Sequence, residues 1–119
     1  MGFKDLRVYQ KAFENSIAIH KLSLTFPEFE KYELGAQMRR ATKSIALNIA
    51  EGYSRSGSLS DFKRFLTMAL GSNDEVLVQL DYCRELKYIS ENEYGLYAVE
   101  YASIGKMLTK MLRNWQTFN

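Results

Sequence analysis

With 119 residues, 46% of them hydrophobic and 25% charged, the chain can bury one core, and its composition excludes a disordered protein. A net charge of +2 excludes a uniformly basic nucleic-acid binder, while one Cys and one His allow neither an intramolecular disulfide nor a metal-ligand set. No apolar run approaches the roughly 20 residues that span a bilayer, and Met1-Gly2-Phe3-Lys4-Asp5 lacks the apolar stretch of a signal peptide, so a cytoplasmic location is expected.

One Pro and 7 Gly leave few breaks, so helices should run long. The first is predicted from Asp5, as N-cap, to about Thr25, with Leu6, Tyr9, Phe13, Ile17, His20 and Leu24 on its buried face. Phe26-Pro27 ends it, because a residue before proline is pushed out of the α region, and residues 27–32 read as a short connection. The second helix covers roughly Glu33 to Ser54, with Leu34, Met38, Ala41, Ile45 and Ile49 as its stripe. Small and polar residues from Ser54 to Ser58 form the clearest loop.

A third helix starts near Ser58 or Ser60, where Ser58 and Asp61 resemble a capping box. Phe62, Phe65, Ala69, Val76, Leu80 and Cys83 repeat close to every 3.5 residues, the rhythm of bundle packing. Gly71-Ser72-Asn73 interrupts that rhythm, and the compensation expected there is close approach to another backbone. Ser90-Glu91-Asn92-Glu93 is a capping box opening the fourth helix, whose stripe is Tyr94, Tyr97, Tyr101, Ile104, Leu108, Met111 and Trp115. Short links between helices of similar length predict an all-α, antiparallel, up-down-up-down four-helix bundle, one domain over residues 1–119. Val8, Phe3, Leu47, Tyr53, Leu96, Val99 and Leu112 remain once core faces are assigned, and this apolar surplus predicts a homo-oligomer.

Charge is unevenly spread. Between Arg39 and Arg64 six basic residues (Arg39, Arg40, Lys43, Arg55, Lys63, Arg64) face only Glu51 and Asp61, a local +4. From Asp74 to Glu100 seven acids face Arg84 and Lys87, a local −5. The six cations can converge on one side of the second and third helices, forming a candidate nucleic-acid surface, because cations on phosphate gain affinity by releasing counterions. Tyr53 lies beside them, placed either to stack on a base or to pack between subunits.

Catalysis finds little purchase. His20 reads as a packed imidazole and Cys83 as a small buried hydrophobe without a His partner, while Glu51 and Asp61 read as exposed helix-end acids. There is no Gly-rich phosphate loop, no Glu-x-x-His pair and no Gly-x-Ser-x-Gly elbow. No enzyme, metal or cofactor is expected.

Longer-range identities carry a resemblance. The chain opens on Phe3-Lys4-Asp5-Leu6 with Val8-Tyr9-Gln10-Lys11-Ala12, and Phe26-Pro27 precedes Glu30, Tyr32 and Leu34. Gln37-Met38-Arg39-Arg40-Ala41 runs through Ser44-Ile45 to Asn48-Ile49-Ala50-Glu51-Gly52, followed by Phe62, Phe65-Leu66, Ala69, Gly71-Ser72, Glu75, Gln79-Leu80 and Ile104-x-Lys106-Met107-Leu108. In this order the chain resembles the 23S rRNA-intervening-sequence family of four helix bundle proteins. The resemblance implies a homopentameric ring of bundles without enzymatic activity. It also implies kinship with the accessory protein of diversity-generating retroelements, whose basic surface engages nucleic acid and a reverse transcriptase. Arg39 and Arg40 match the family motif; Lys43, Arg55, Lys63 and Arg64 join them by spacing alone. Asn48, Gly52, Gly71 and Ser72 are expected to form a helix crossing, with Asn48 bonding a neighbouring helix and Gly52 passing a backbone near Gly71-Ser72.

Two functions follow as expectations. One is a non-enzymatic oligomeric scaffold binding RNA or DNA, with RNA related to the ribosome favoured. The other is a protein-interaction scaffold, for a polymerase or reverse transcriptase, that does not touch nucleic acid. No membrane partner is expected.

Overall fold

The computed structural model describes residues 1–115. A 3-10 turn at Phe3–Asp5 leads into α1 (Arg7–Ser23), the one-turn α2 (Glu28–Lys31), α3 (Leu34–Ser54), α4 (Leu59–Glu85) and α5 (Glu91–Asn114). Among the described residues there is no strand, and the four long helices form a compact body of 52 × 23 × 21 Å, consistent with a four-helix bundle. The α3 helix packs most extensively on α4, α1 sits against α3, and α5 packs on α4 and more lightly on α1.

Local chemistry accounts for the ends. Ser90 Oγ accepts the Glu93 amide at 3.0 Å while Glu93 Oε1 accepts the Ser90 amide at 2.8 Å, completing the capping box of α5. Ser58 caps α4 on one side only, through a long 3.4 Å bond from the Asp61 amide. That helix closes with the Tyr88 amide on the Cys83 carbonyl and the Lys87 amide on Arg84, a Schellman pattern. Lys87 adopts φ 62°, a left-handed position usually given to glycine. Residues 27–32 are not a plain connection, because Glu28–Lys31 make a helical turn after Pro27.

Helix α1 departs most from expectation. Asp5 is not its N-cap: the carboxylate accepts the Gly2 amide at 3.0 Å inside the 3-10 turn, and α1 begins after Leu6 without a side-chain cap. The buried face is Val8, Ala12, Asn15, Ser16, Ile19 and Ser23, while Phe13, Ile17 and Leu24 of the predicted stripe point to solvent. Small residues win the interior there because they let α1 lie close to its neighbours. The hydroxyls of Ser16 and Ser23 donate back to the Phe13 and His20 carbonyls, so burying them leaves no donor unmet.

The stripes of α3, α4 and α5 fall largely as predicted. Met38, Ile45, Ile49, Phe62, Leu66, Val76, Leu80, Tyr101, Ile104 and Leu108 are fully buried in one core. Cys83 belongs to it, with Sγ 3.5 Å from Met38 Sδ. Burial pushes its thiol pKa up to about 12, so it is a poor nucleophile.

A polar tie joins α1 to α5, where Glu100 accepts from Asn15 Nδ2 and from Lys11 Nζ, each at 3.1 Å. These bonds, Asn15 first, hold the Glu100 carboxyl below its ordinary pKa of 4.5. A depressed carboxylate contributes stability above its unfolded value and loses it as pH falls through the folded one. Glu100→Gln is therefore expected to lower the melting temperature at pH 7, and the gap from wild type should narrow once pH falls below the ordinary value of 4.5 and close as it passes through the lowered folded one. A gap independent of pH would show that the charge contributes nothing.

Candidate nucleic-acid interface

The six predicted cations do not converge; they fall into two groups. Arg40 and Lys43 are exposed on the outer face of α3, one turn apart. With Ser44, Leu47, Asn48, Ser72 and Glu75 they line an open groove of about 640 Å³ between α3 and α4. Arg55, Lys63 and Arg64 sit at the far end, around the 54–58 loop, about 22 Å from Arg40 at 1.5 Å per helical residue.

Neighbours decide which cations are available. Arg39 is not a free surface charge: it donates from Nη1 to Ser23 Oγ and from Nη2 to the Lys31 carbonyl, both at 2.8 Å. It ties the end of α1 and the α2 turn to α3. Arg55 pairs with Glu51 at 3.2 Å and Arg64 with Asp61 at 3.7 Å, and both guanidinium groups lie on the Phe65 ring, 5.2 and 4.4 Å from its centre. Among the described residues Arg40, Lys43 and Lys63 form no ion pair. Lys43 Nζ donates to His20 Nδ1 at 3.0 Å, since an ammonium cannot accept, which places the imidazole proton on Nε2. Desolvation, then Lys43 and Arg39, lower the His20 pKa and keep the ring neutral.

The predicted helix crossing is divided too. Gly52 does meet a crossing helix, where an added Cβ would come within 3.1 Å of Phe65 Cβ and 3.4 Å of the Phe62 carbonyl. Gly71 plays no such part: it is exposed, and a Cβ added there would meet nothing within 4 Å. Asn48 bonds within its own helix, donating to the Ser44 carbonyl at 2.8 Å and to Ser44 Oγ at 3.0 Å. Ser44 Oγ in turn meets Ser72 Oγ at 2.9 Å, so Asn48 reaches α4 through a serine. Gly105 and Gly35 are close-approach glycines that periodicity does not reveal: an added Cβ would come within 3.0 Å of Asn73 Nδ2 at the first and of the Glu30 carbonyl at the second.

Tyr53 is taken up inside the chain, edge-on to Trp115 at 6.1 Å. Val8 is core rather than surplus, whereas Leu47, Leu96 and Val99 are exposed as expected. The outward-turned apolar face of α1 creates a second groove beside the basic one, lined by Tyr9, Phe13 and Ile17 from α1 and Lys43, Ala46 and Leu47 from α3. No group of three or more His, Cys, Asp or Glu among the described residues is placed to hold a metal ion, and no helix is long and apolar enough to cross a membrane.

Comparison with known proteins bears on the family and the fold. The family model for the 23S rRNA-intervening sequence protein matches residues 4–110. A crystal structure of a protein with unknown function from the S23 ribosomal protein family of Bacteroides thetaiotaomicron superposes with a TM-score of 0.82. It is 25% identical, and the match covers 90% of this chain and 96% of that one. No curated protein matches the chain.

Proposed function

The chain belongs to the 23S rRNA-intervening sequence protein family, and from that premise we propose that it is a non-enzymatic oligomeric scaffold that binds nucleic acid, RNA in the first place. The observation that carries the reading is the pair Arg40 and Lys43 on the outer face of α3, over a groove whose walls offer Ser44, Asn48 and Ser72. Two exposed cations at one-turn spacing present their charges to successive phosphates. Lys63 stands apart from this surface, near the start of α4, while Arg39 ties the ends of α1 and α2 to α3.

In this reading the helices run up-down-up-down: Ser44 meets Ser72 while Gly52 meets Phe65, and Asn73 meets Tyr101 while Asp81 meets Tyr94. Subunits assemble into a homopentamer through exposed apolar residues, Leu96 and Val99 on α5. A ring repeats the basic face on each subunit and so multiplies weak phosphate contacts.

Gel retardation of a structured RNA by the full chain tests the reading. Binding should weaken steeply with salt, and Arg40→Glu with Lys43→Glu should reduce affinity about tenfold or more and flatten the salt dependence. Both sites are exposed, so the melting temperature should stay within a few degrees. Unchanged retention by the double variant would remove this surface from consideration. Nuclease-resistant capture of a protein instead would favour the protein-scaffold alternative. Light scattering that returns a 13.8 kDa monomer would refute the assembly.

A further inference from the structure

Binding of phosphates by Arg40 and Lys43 would not distinguish a duplex from a single strand, because the backbone charge is common to both. Aromatic rings make that distinction, since an unpaired base can stack and a paired one cannot. Two rings near the basic face are already covered, Tyr53 by Trp115 and Phe65 by the guanidinium groups of Arg55 and Arg64. Phe13 is different: it is 49% exposed on the outer face of α1, beside Lys43.

Its setting is that of a platform. One face of the ring is backed by Tyr9, at 6.0 Å and 25° between planes, leaving the other for a base, and Tyr9 meets Phe3 edge-on at 5.0 Å. Across the groove stands Leu47, 66% exposed, with Ala46 at the floor. The groove holds about 240 Å³, below the ~300–1,000 Å³ of pockets for drug-sized ligands, and has no acid in its lining. Its one charged wall is Lys43, which together with Leu47 also lines the phosphate groove on the other side of α3.

Resting on the reading of α3 as a phosphate-binding face, we propose that the α1–α3 groove takes an unpaired base of single-stranded nucleic acid. The base lies on Phe13 between Ile17 and Leu47, and its phosphate is held by Lys43 with Arg40 one turn away. An apolar slot with a cation at its rim suits a flat, uncharged ring attached to an anion. A second copy of the chain is the less fitting occupant, because the exposed apolar residues of α5, Leu96 and Val99, lie beside the acid Glu100 and need no cationic rim.

The test is fluorescence anisotropy with a labelled twelve-nucleotide single-stranded RNA and with a blunt RNA duplex of equal length. Phe13→Ala and, independently, Leu47→Ala should weaken single-strand binding about tenfold or more while leaving duplex binding within twofold, and Phe13→Trp should keep it. Light scattering should show the wild-type mass for all three variants. Equal losses on both RNAs, no loss on either, or a lower mass for Phe13→Ala would each overturn the proposal. If the wild type binds the duplex and not the single strand, the phosphate face stands and the base slot falls. If it binds neither, both fall.

Discussion

Phe62→Ala is expected to cost about 3–5 kcal/mol of stability, a large part of what holds a small domain folded. Phe62 is fully buried at the start of α4, with its ring stacked on Trp115 at 4.4 Å and 21°, and its carbonyl backs on to Gly52 of α3. One side chain therefore fills the layer where the end of α3, the start of α4 and the end of α5 meet. Helices this tightly crossed cannot close over the space a benzyl group leaves, so the cavity term adds to the lost transfer energy. Urea unfolding of both proteins measures the difference. Trp115 is the sole tryptophan, so its native-state emission should also change when the stacked ring is removed. A cost below about 1 kcal/mol would mean that this end of the bundle is not close-packed.

Arg39→Ala is the second large effect, and it separates a structural arginine from a binding one. Hydrogen bonds made by a charged group contribute about 1.5–3 kcal/mol, and Arg39 makes two at 2.8 Å, to Ser23 Oγ and the Lys31 carbonyl. Losing them frees the α2 turn from α3, so a fall of about 2 kcal/mol in stability is expected. RNA binding measured well below the melting transition should be nearly unchanged. Arg39→Lys should recover little, since a single ammonium does not reproduce the fork that spans both acceptors. Should Arg39→Ala instead keep full stability and lose RNA binding, Arg39 would rejoin Arg40 and Lys43 as a surface residue.

Arg39 and Arg40 illustrate what can be read from residues and what cannot. Both are basic, adjacent and part of the same resemblance, and spacing treats them as one patch. A helix turns 100° per residue, so neighbours in sequence face different directions, and the groups met at Ser23 and Lys31 come from other elements. The same holds for Arg55 and Arg64, whose charges are taken up by Glu51, Asp61 and the Phe65 ring. Gly71 breaks a stripe, yet a glycine marks close approach only if something approaches, and at Gly52 and Gly105 something does.

The helical class, the four long helices and the core stripes of α3, α4 and α5 are legible in the residues alone. Proline, small-polar and Ser-x-x-Glu punctuation, together with hydrophobic periodicity, are local properties that act within a few residues. Which face of α1 goes inside is settled by packing between elements instead. That helix carries two apolar arcs, and burying the smaller one, Val8, Ala12, Ser16 and Ile19, lets the helices come close while Phe13 and Ile17 are left outside. Availability of the cations is settled in the same way, because a charge is free or spent according to what other segments bring beside it.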